Sequence, residues 1–161
     1  MTETIACPGC GLHMPARAGS TTHGYYNASP ECWAVYTEVL AAEYSNAVLF
    51  GQVHQLTVDT YAVQHAGGAH PDKSVDIHLA GLYLVLERGL RPTEVPPRLQ
   101  QLAEHVRAWP HFEPPRVEWP MTVFDVAMAS TPIEHAELVR QWSAGVWKEW
   151  AFAREEIARL L

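Results

Sequence analysis

The chemistry of this 161-residue sequence is concentrated in three cysteines and in one short stretch dense with polar side chains. Cys7 and Cys10 stand in CPGCG, a Cys-x-x-Cys with proline after the first cysteine and glycine after the second. That is the form of a zinc-ribbon knuckle, in which a tight turn aims two thiolates at one ion. A full ribbon needs a second Cys-x-x-Cys, and the chain has none. The remaining thiol, Cys32, lies in SPECW, where Ser29 suits a helix cap and Pro30 the first helical position. Cys32 then falls in a first turn whose free N–H groups favour a thiolate.

Three cysteines call for a fourth ligand, and two histidines compete for the place. His23 gives Cys7-x2-Cys10-x12-His23-x8-Cys32, a local site with spacings like those of small zinc modules. His65 is the long-range alternative: if two successive helices form an antiparallel pair, the end of the second returns to Cys32 at the start of the first. Spacing alone puts His23 slightly ahead. The expected product is a structural Zn2+ site of Cys7, Cys10 and Cys32 with one of these histidines. The competing reading of the same thiols is a reduced dithiol in a loose arm.

The polar stretch is HQLTVDTYAVQH, residues 54–65. At about 100° per residue, Leu56, Asp59 and Val63 share one side of a helix while His54, Val58, Tyr61 and His65 share another, so no face is wholly polar. Some of these groups must therefore be buried, and buried polar groups need partners. Asp59 faces the bundle interior, with His78 the first candidate partner and His135 the second. His54, Asp59, Tyr61, His65 and His78 are the candidate catalytic pocket, in which a second divalent metal is a further candidate. His54 and His65 cannot share an ion, because eleven residues of helix separate them by roughly 16 Å. The plainer reading is that these side chains only hydrogen-bond across the bundle.

These residues require helices to position them. Residues 1–30 show no helical or strand period and read as an irregular arm. Helices are expected over about 31–44, 48–66 and 74–88, then a short one to about 108, another from Thr122 to about 129, and a last one from Thr131 to the chain end. Trp33, Tyr36, Leu40 and Tyr44 form the expected core stripe of the first, and Val139, Trp142, Val146, Trp150, Ala153 and Ile157 that of the last. WPHFEPPRVEWP, residues 109–120, has four prolines and is expected to be an extended strap laid over the bundle. The fold expected is all-α: a single domain of about five helices, residues 31–161, with a zinc-pinned arm over residues 1–30 packed on it.

The net charge of −7 argues against nucleic-acid or anionic-membrane surfaces. There is no apolar run long enough for a signal peptide or a span, and an odd number of cysteines suits a reducing compartment, so the expected location is the cytoplasm. No serine nucleophile elbow, phosphate loop, dinucleotide fingerprint or His-Glu-x-x-His motif is present.

With HQLTVDTYAVQH, CPGCG, SPECW, GLYLVLERG and the Trp-rich last helix in place, the chain resembles a bacterial family of unknown function over most of its length. The resemblance implies that His54, Gln55, Asp59, Tyr61, Gln64 and His65 matter independently of the knuckle, which tilts the fourth zinc ligand toward His23. It implies no activity, substrate or cofactor. Two functions remain in view. One is a small zinc protein that is a metal-dependent enzyme with a His/Asp pocket; the other is a non-enzymatic adaptor whose zinc is purely structural. The partner is a small molecule or a protein.

Overall fold

Three of the four longest helices begin where the sequence supplies a cap. In this computed structural model, which describes residues 3–161, Ser29 Oγ accepts the Cys32 N–H at 3.1 Å to open α1, Pro30–Tyr44. Asn46 accepts the Leu49 N–H at 3.0 Å to open α2, Ala47–Gln64. Helix α3, Asp72–Leu86, starts after Pro71 with no side-chain cap. Two residues at its start that could cap a helix have other uses: Asp72 binds His111, and the Ser74 hydroxyl binds His70. Helix α4, Val95–His105, grows out of a single 3-10 turn, Pro92–Glu94. Thr122 and Asp125 close a reciprocal capping box on α5, Val123–Ala127. Thr131 caps α6, Pro132–Glu149.

Two of the expected elements need correction. The arm is not wholly irregular: β1, Thr4–Ala6, pairs antiparallel with β2, His13–Pro15, in the register Ile5 to Met14. The cysteine knuckle is the turn of this hairpin, held by Cys7 N–H to Leu12 C=O at 2.8 Å and Gly11 N–H to Cys7 C=O at 2.9 Å. The last helix does not run through to the end. It stops at Trp150, passes through a 3-10 turn over Ala151–Ala153 and resumes as α7, Arg154–Leu160. The break lies where Trp150 is fully buried and stacked on Phe152, with ring centroids 5.6 Å apart.

Helix α2 is the centre of the molecule, packed against α1, α3 and α6. Residues 106–122 lie between α4 and α5 without regular structure, as the prolines require. Helix α1 buries Cys32, Val35, Tyr36, Val39 and Glu43, while Tyr44, expected in the core, is exposed. The buried stripe thus ends on a carboxylate. Glu43 has no solvent exposure, and His135 Nε2 donates to its Oε1 at 2.9 Å while His54 Nδ1 donates to Oε2 at 2.8 Å. The Thr57 hydroxyl also donates to Oε1. One side chain therefore joins α1, α2 and α6, and these partners hold its carboxyl below the ordinary range against the opposing effect of burial.

Asp59 decides how closely α3 can approach α2. A Cβ placed on Gly81 of α3 would sit 2.0 Å from Asp59 Oδ2 and 2.6 Å from its Cγ. Gly81 therefore sits in α3 because the facing carboxylate occupies the space a methyl group would need. Gly81→Ala should cost about 2–4 kcal/mol despite its better helix propensity, because the overlap falls on a buried, hydrogen-bonded carboxyl group. Gly145, whose Cβ would meet nothing within 4 Å, supplies the control: alanine there should be neutral or stabilising by up to about 1 kcal/mol. Urea denaturation of the two variants checks both.

Asp76 of α3 is also fully buried, yet neither of its oxygens has a hydrogen-bond partner. Burial, reinforced by the neighbouring Asp72, pushes its carboxyl from 3.8 up to about 7. A folded-state value above the unfolded one gives stability that is complete below about 4 and lost as pH rises through about 7. Asp76→Asn should therefore stabilise the protein more at pH 8 than at pH 5. Glu43, with its lowered value, has the opposite sign: its contribution holds above the ordinary carboxyl range and is lost on acidification. Melts of Asp76→Asn across pH 4–8, and of Glu43→Gln on acidification below pH 5, should show these opposite dependences.

Candidate metal centre

The hairpin turn, the first turn of α1 and the C-cap residue of α2 meet at one buried point. Cys7 and Cys10 come from the turn, Cys32 from α1, and His65 caps the C-terminus of α2. Their ligand atoms all lie within 4.8 Å of one another, and all four residues are buried. Cys10 Sγ is 3.7 Å from Cys32 Sγ, and Cys32 Sγ is 3.4 Å from His65 Nε2. Among the described residues this is the sole group of three or more His, Cys, Asp or Glu able to hold a metal ion.

The surroundings orient each donor. His65 Nδ1–H donates to the Tyr61 carbonyl at 2.7 Å, which fixes the tautomer and leaves Nε2 bare toward the cysteines. Ser29 N–H points at Cys7 Sγ at 3.4 Å, and the Tyr61 hydroxyl donates to Cys32 Sγ at 3.5 Å. Hydrogen bonds from Cys10 and then Cys32 push the Cys7 thiol far below its ordinary value. The proton cost falls on its neighbours. Contact with Cys10 and Cys7, with burial, raises Cys32 strongly; Cys10 is lowered by Cys32 but raised more by Cys7 and burial, to about 12. Thiols packed this closely in a buried site compete for protons that a cation could replace.

Gly9 lets the turn close. Its Cβ would lie 2.4 Å from the Asn27 carbonyl oxygen and 2.7 Å from His65 Cδ2, so only glycine lets the knuckle press against the imidazole. The strap secures the same turn from outside, as Trp119 Nε1–H donates to the Gly9 carbonyl at 3.2 Å. The His65 carbonyl accepts from Asn27 N–H and from His70 Nδ1–H, each at 3.0 Å. Burial lowers the His70 pKa to about 4, against the opposing effect of that bond.

The fourth member of the group is His65, not the His23 that spacing and resemblance favoured. His23 packs among aromatic rings, stacked on Tyr26 at 4.4 Å and near Trp33 at 5.3 Å. Its separation in sequence is suitable, but the loop that carries it turns it toward these rings, while antiparallel α1 and α2 bring Cys32 and His65 together. The HQ-to-QH stretch is therefore not independent of the knuckle.

Nor do His54, Asp59, Tyr61, His65 and His78 line one pocket. Helix α2 distributes them among three separate partnerships: His54 with Glu43, Tyr61 and His65 with the cysteines, and Asp59 with His78. Asp59 Oδ1 accepts from His78 Nδ1–H at 2.8 Å, and Gln55 Nε2 donates to both carboxylate oxygens at 2.9 and 3.0 Å. Burial raises the Asp59 carboxyl while His78 and Gln55 oppose it. His135, the other expected partner of Asp59, binds Glu43 instead. Gln64 joins α2 to the strap and to α6, donating to the Met121 carbonyl and accepting from Trp142 Nε1–H. These residues bring no second metal-binding set together. Glu43 is the residue that sequence reasoning missed, although it continues the helical spacing of Cys32, Val35, Tyr36 and Val39.

The knuckle also borders open space. A cavity of about 700 Å³ lies between Gly9, the end of α2 and the strap, and another of about 620 Å³ lies between Cys7, Cys10, the strap and α5. The strap walls a cleft whose other side is the knuckle. Among the described residues no helix is long and apolar enough to cross a membrane.

Comparison with known proteins found no match among curated proteins or solved structures. A family model described as a family of unknown function, DUF5946, matches residues 5–151. That span takes in three of the elements that form the metal centre, the hairpin turn, α1 and α2, together with the whole of α6; the chain belongs to the family of unknown function DUF5946.

Proposed function

We propose that this chain is a zinc protein in which Cys7, Cys10, Cys32 and His65 hold one structural Zn2+ that fastens the N-terminal hairpin to α1 and α2. The observation that carries this reading is the spacing of the donors. Zinc bonds of about 2.3 Å to sulfur and about 2.0 Å to nitrogen in a tetrahedron require edges of about 3.8 Å between sulfurs and about 3.5 Å between sulfur and nitrogen. The Cys10–Cys32 sulfur edge is 3.7 Å and the Cys32–His65 edge 3.4 Å, with all four ligand atoms within 4.8 Å of one another. Three thiolates with one imidazole suit zinc, and four buried protein ligands leave no open position for water or substrate, which is the character of a structural rather than a catalytic site.

The ion then serves the surface that it holds in place. The cleft between the knuckle and the Trp-Pro strap is the feature whose shape depends directly on the centre, and we read the protein as a binding module that presents this cleft to a protein or small-molecule partner. The dispersal of the α2 polar residues into separate, mutually satisfied partnerships supports this reading over a metal-dependent enzyme. With a net charge of −7 the partner is not expected to be a nucleic acid or an anionic membrane.

Elemental analysis of protein produced with zinc present should find one zinc per chain. His65→Ala should lose it and His23→Ala should keep it. Removal of the ion by a chelator should cost about 3 kcal/mol or more, a fall in melting temperature of roughly 6–12 °C for a chain of this size. Zinc-free protein, or a His65→Ala variant that still binds a full equivalent, would refute the assignment.

A further inference from the structure

The centre is buried, but not equally on all sides. The cavity of about 620 Å³ beneath the strap is lined by Cys7 and Cys10, together with Trp119, Thr122 and Asp125, whereas Cys32 and His65 are not among its lining residues. A small molecule in this space meets the arm cysteines first. The Cys10 sulfur lies 3.7 Å from that of Cys32, and the Cys7 sulfur is within 4.8 Å of it. Cys7 is engaged by the Ser29 N–H, and the turn that joins it to Cys10 is clamped at Gly9 between Asn27 and His65.

We propose that Cys10 is a site of oxidative modification, at which a hydroperoxide entering the cavity drives a Cys10–Cys32 disulfide that expels the ion and keeps the arm attached. The inference rests on the zinc reading above. In the zinc-loaded centre the cysteines are deprotonated by ligation, and the Cys10 thiolate attacks the peroxide O–O bond, giving a sulfenic acid and releasing hydroxide or, from an organic peroxide, alkoxide. The Cys32 thiolate then attacks the Cys10 sulfur and displaces a second hydroxide. Two electrons leave the two thiolates and reduce one peroxide. The sulfurs must close from 3.7 Å to about 2.0 Å, and that movement falls on the hairpin, since Cys32 is fixed in the first turn of α1. Cys7 and His65 are left as the only two ligands, too few to retain zinc. The disulfide takes over the mechanical task of the ion, and a thiol reductant restores the original set.

The test uses full-length, zinc-loaded protein whose zinc content has been measured. Hydrogen peroxide is added with a chromogenic zinc chelator present, remaining thiols are alkylated, and the protein is digested with trypsin without reduction. Cleavage after Arg17 separates Cys7 and Cys10 from Cys32, so the expected product is one cross-linked pair of peptides with Cys7 alkylated, formed in step with release of one zinc. The oxidised, zinc-free protein should melt above the reduced, chelated protein, because its arm remains tied. A Cys7–Cys10 link within one peptide, oxidation to sulfinic or sulfonic acid without a cross-link, or zinc retained throughout would overturn the proposal and leave the zinc site standing. Absence of zinc at the outset would overturn both.

Discussion

A carboxylate, an imidazole or a thiol taken out of water must find a partner, and α2 is where that demand is greatest. Asp59, Thr57, Thr60, Gln64 and His65 are all buried on this one helix. An unpaired charge in such a position costs several kcal/mol, which is comparable with the net stability of a whole domain. The surrounding elements are therefore placed by what they bring to α2. Helix α1 brings Glu43 and Cys32, α3 brings His78, α6 brings Ser143 and Trp142, and the strap brings the Met121 carbonyl. Hydrogen bonds are directional where apolar contacts are not, so these pairings fix the register of each neighbour as well as its proximity.

The arm depends on the same helix through its C-cap residue. A hairpin with two strands of three residues has too little surface to be stable alone. Its turn is held from three directions: by Trp119 of the strap, by Ser29 at the head of α1, and by the His65 ring packed against Gly9. An ion among the four ligands would join these contacts into one unit, because no ligand could then move without the other three. The His65 carbonyl and ring serve together: the carbonyl receives Asn27 and His70, while the ring presents Nε2 to the cysteines. The residue that ends α2 thus also fixes the path of the loop that leads into α1.

Local chemistry in the sequence accounts for much of this architecture. Ser29, Asn46, Thr122 and Thr131 mark helix starts because each can accept the same helix's free N–H groups, and the prolines of residues 109–120 exclude helix wherever they fall. Asp59 could be read as buried, with His78 as its partner, from the position of each on its helix. The Cys-x-x-Cys turn and Cys32 could be read as a metal-ligand set from residue type alone. The break at Trp150 had no such signal, since AFA carries neither glycine nor proline and the helix ends where the indole is buried.

What the sequence could not decide was which distant groups would meet. His23 and His65 are both plausible ligands by type, and spacing favours His23 although His65 is the one that lies beside the cysteines, because spacing measures only the length of chain available to close a loop. The choice was made by the antiparallel packing of α1 on α2, which carries His65 to Cys32, and by the aromatic rings that hold His23 elsewhere. Glu43 lies on a stripe that the sequence shows to be buried, yet its stability there comes from His54 eleven residues on and His135 ninety-two residues on. Residue types and local spacing determined the helices, their caps and the kinds of donor available; the partnerships among those donors arose only when the helices packed, since each joins atoms that the chain itself keeps far apart.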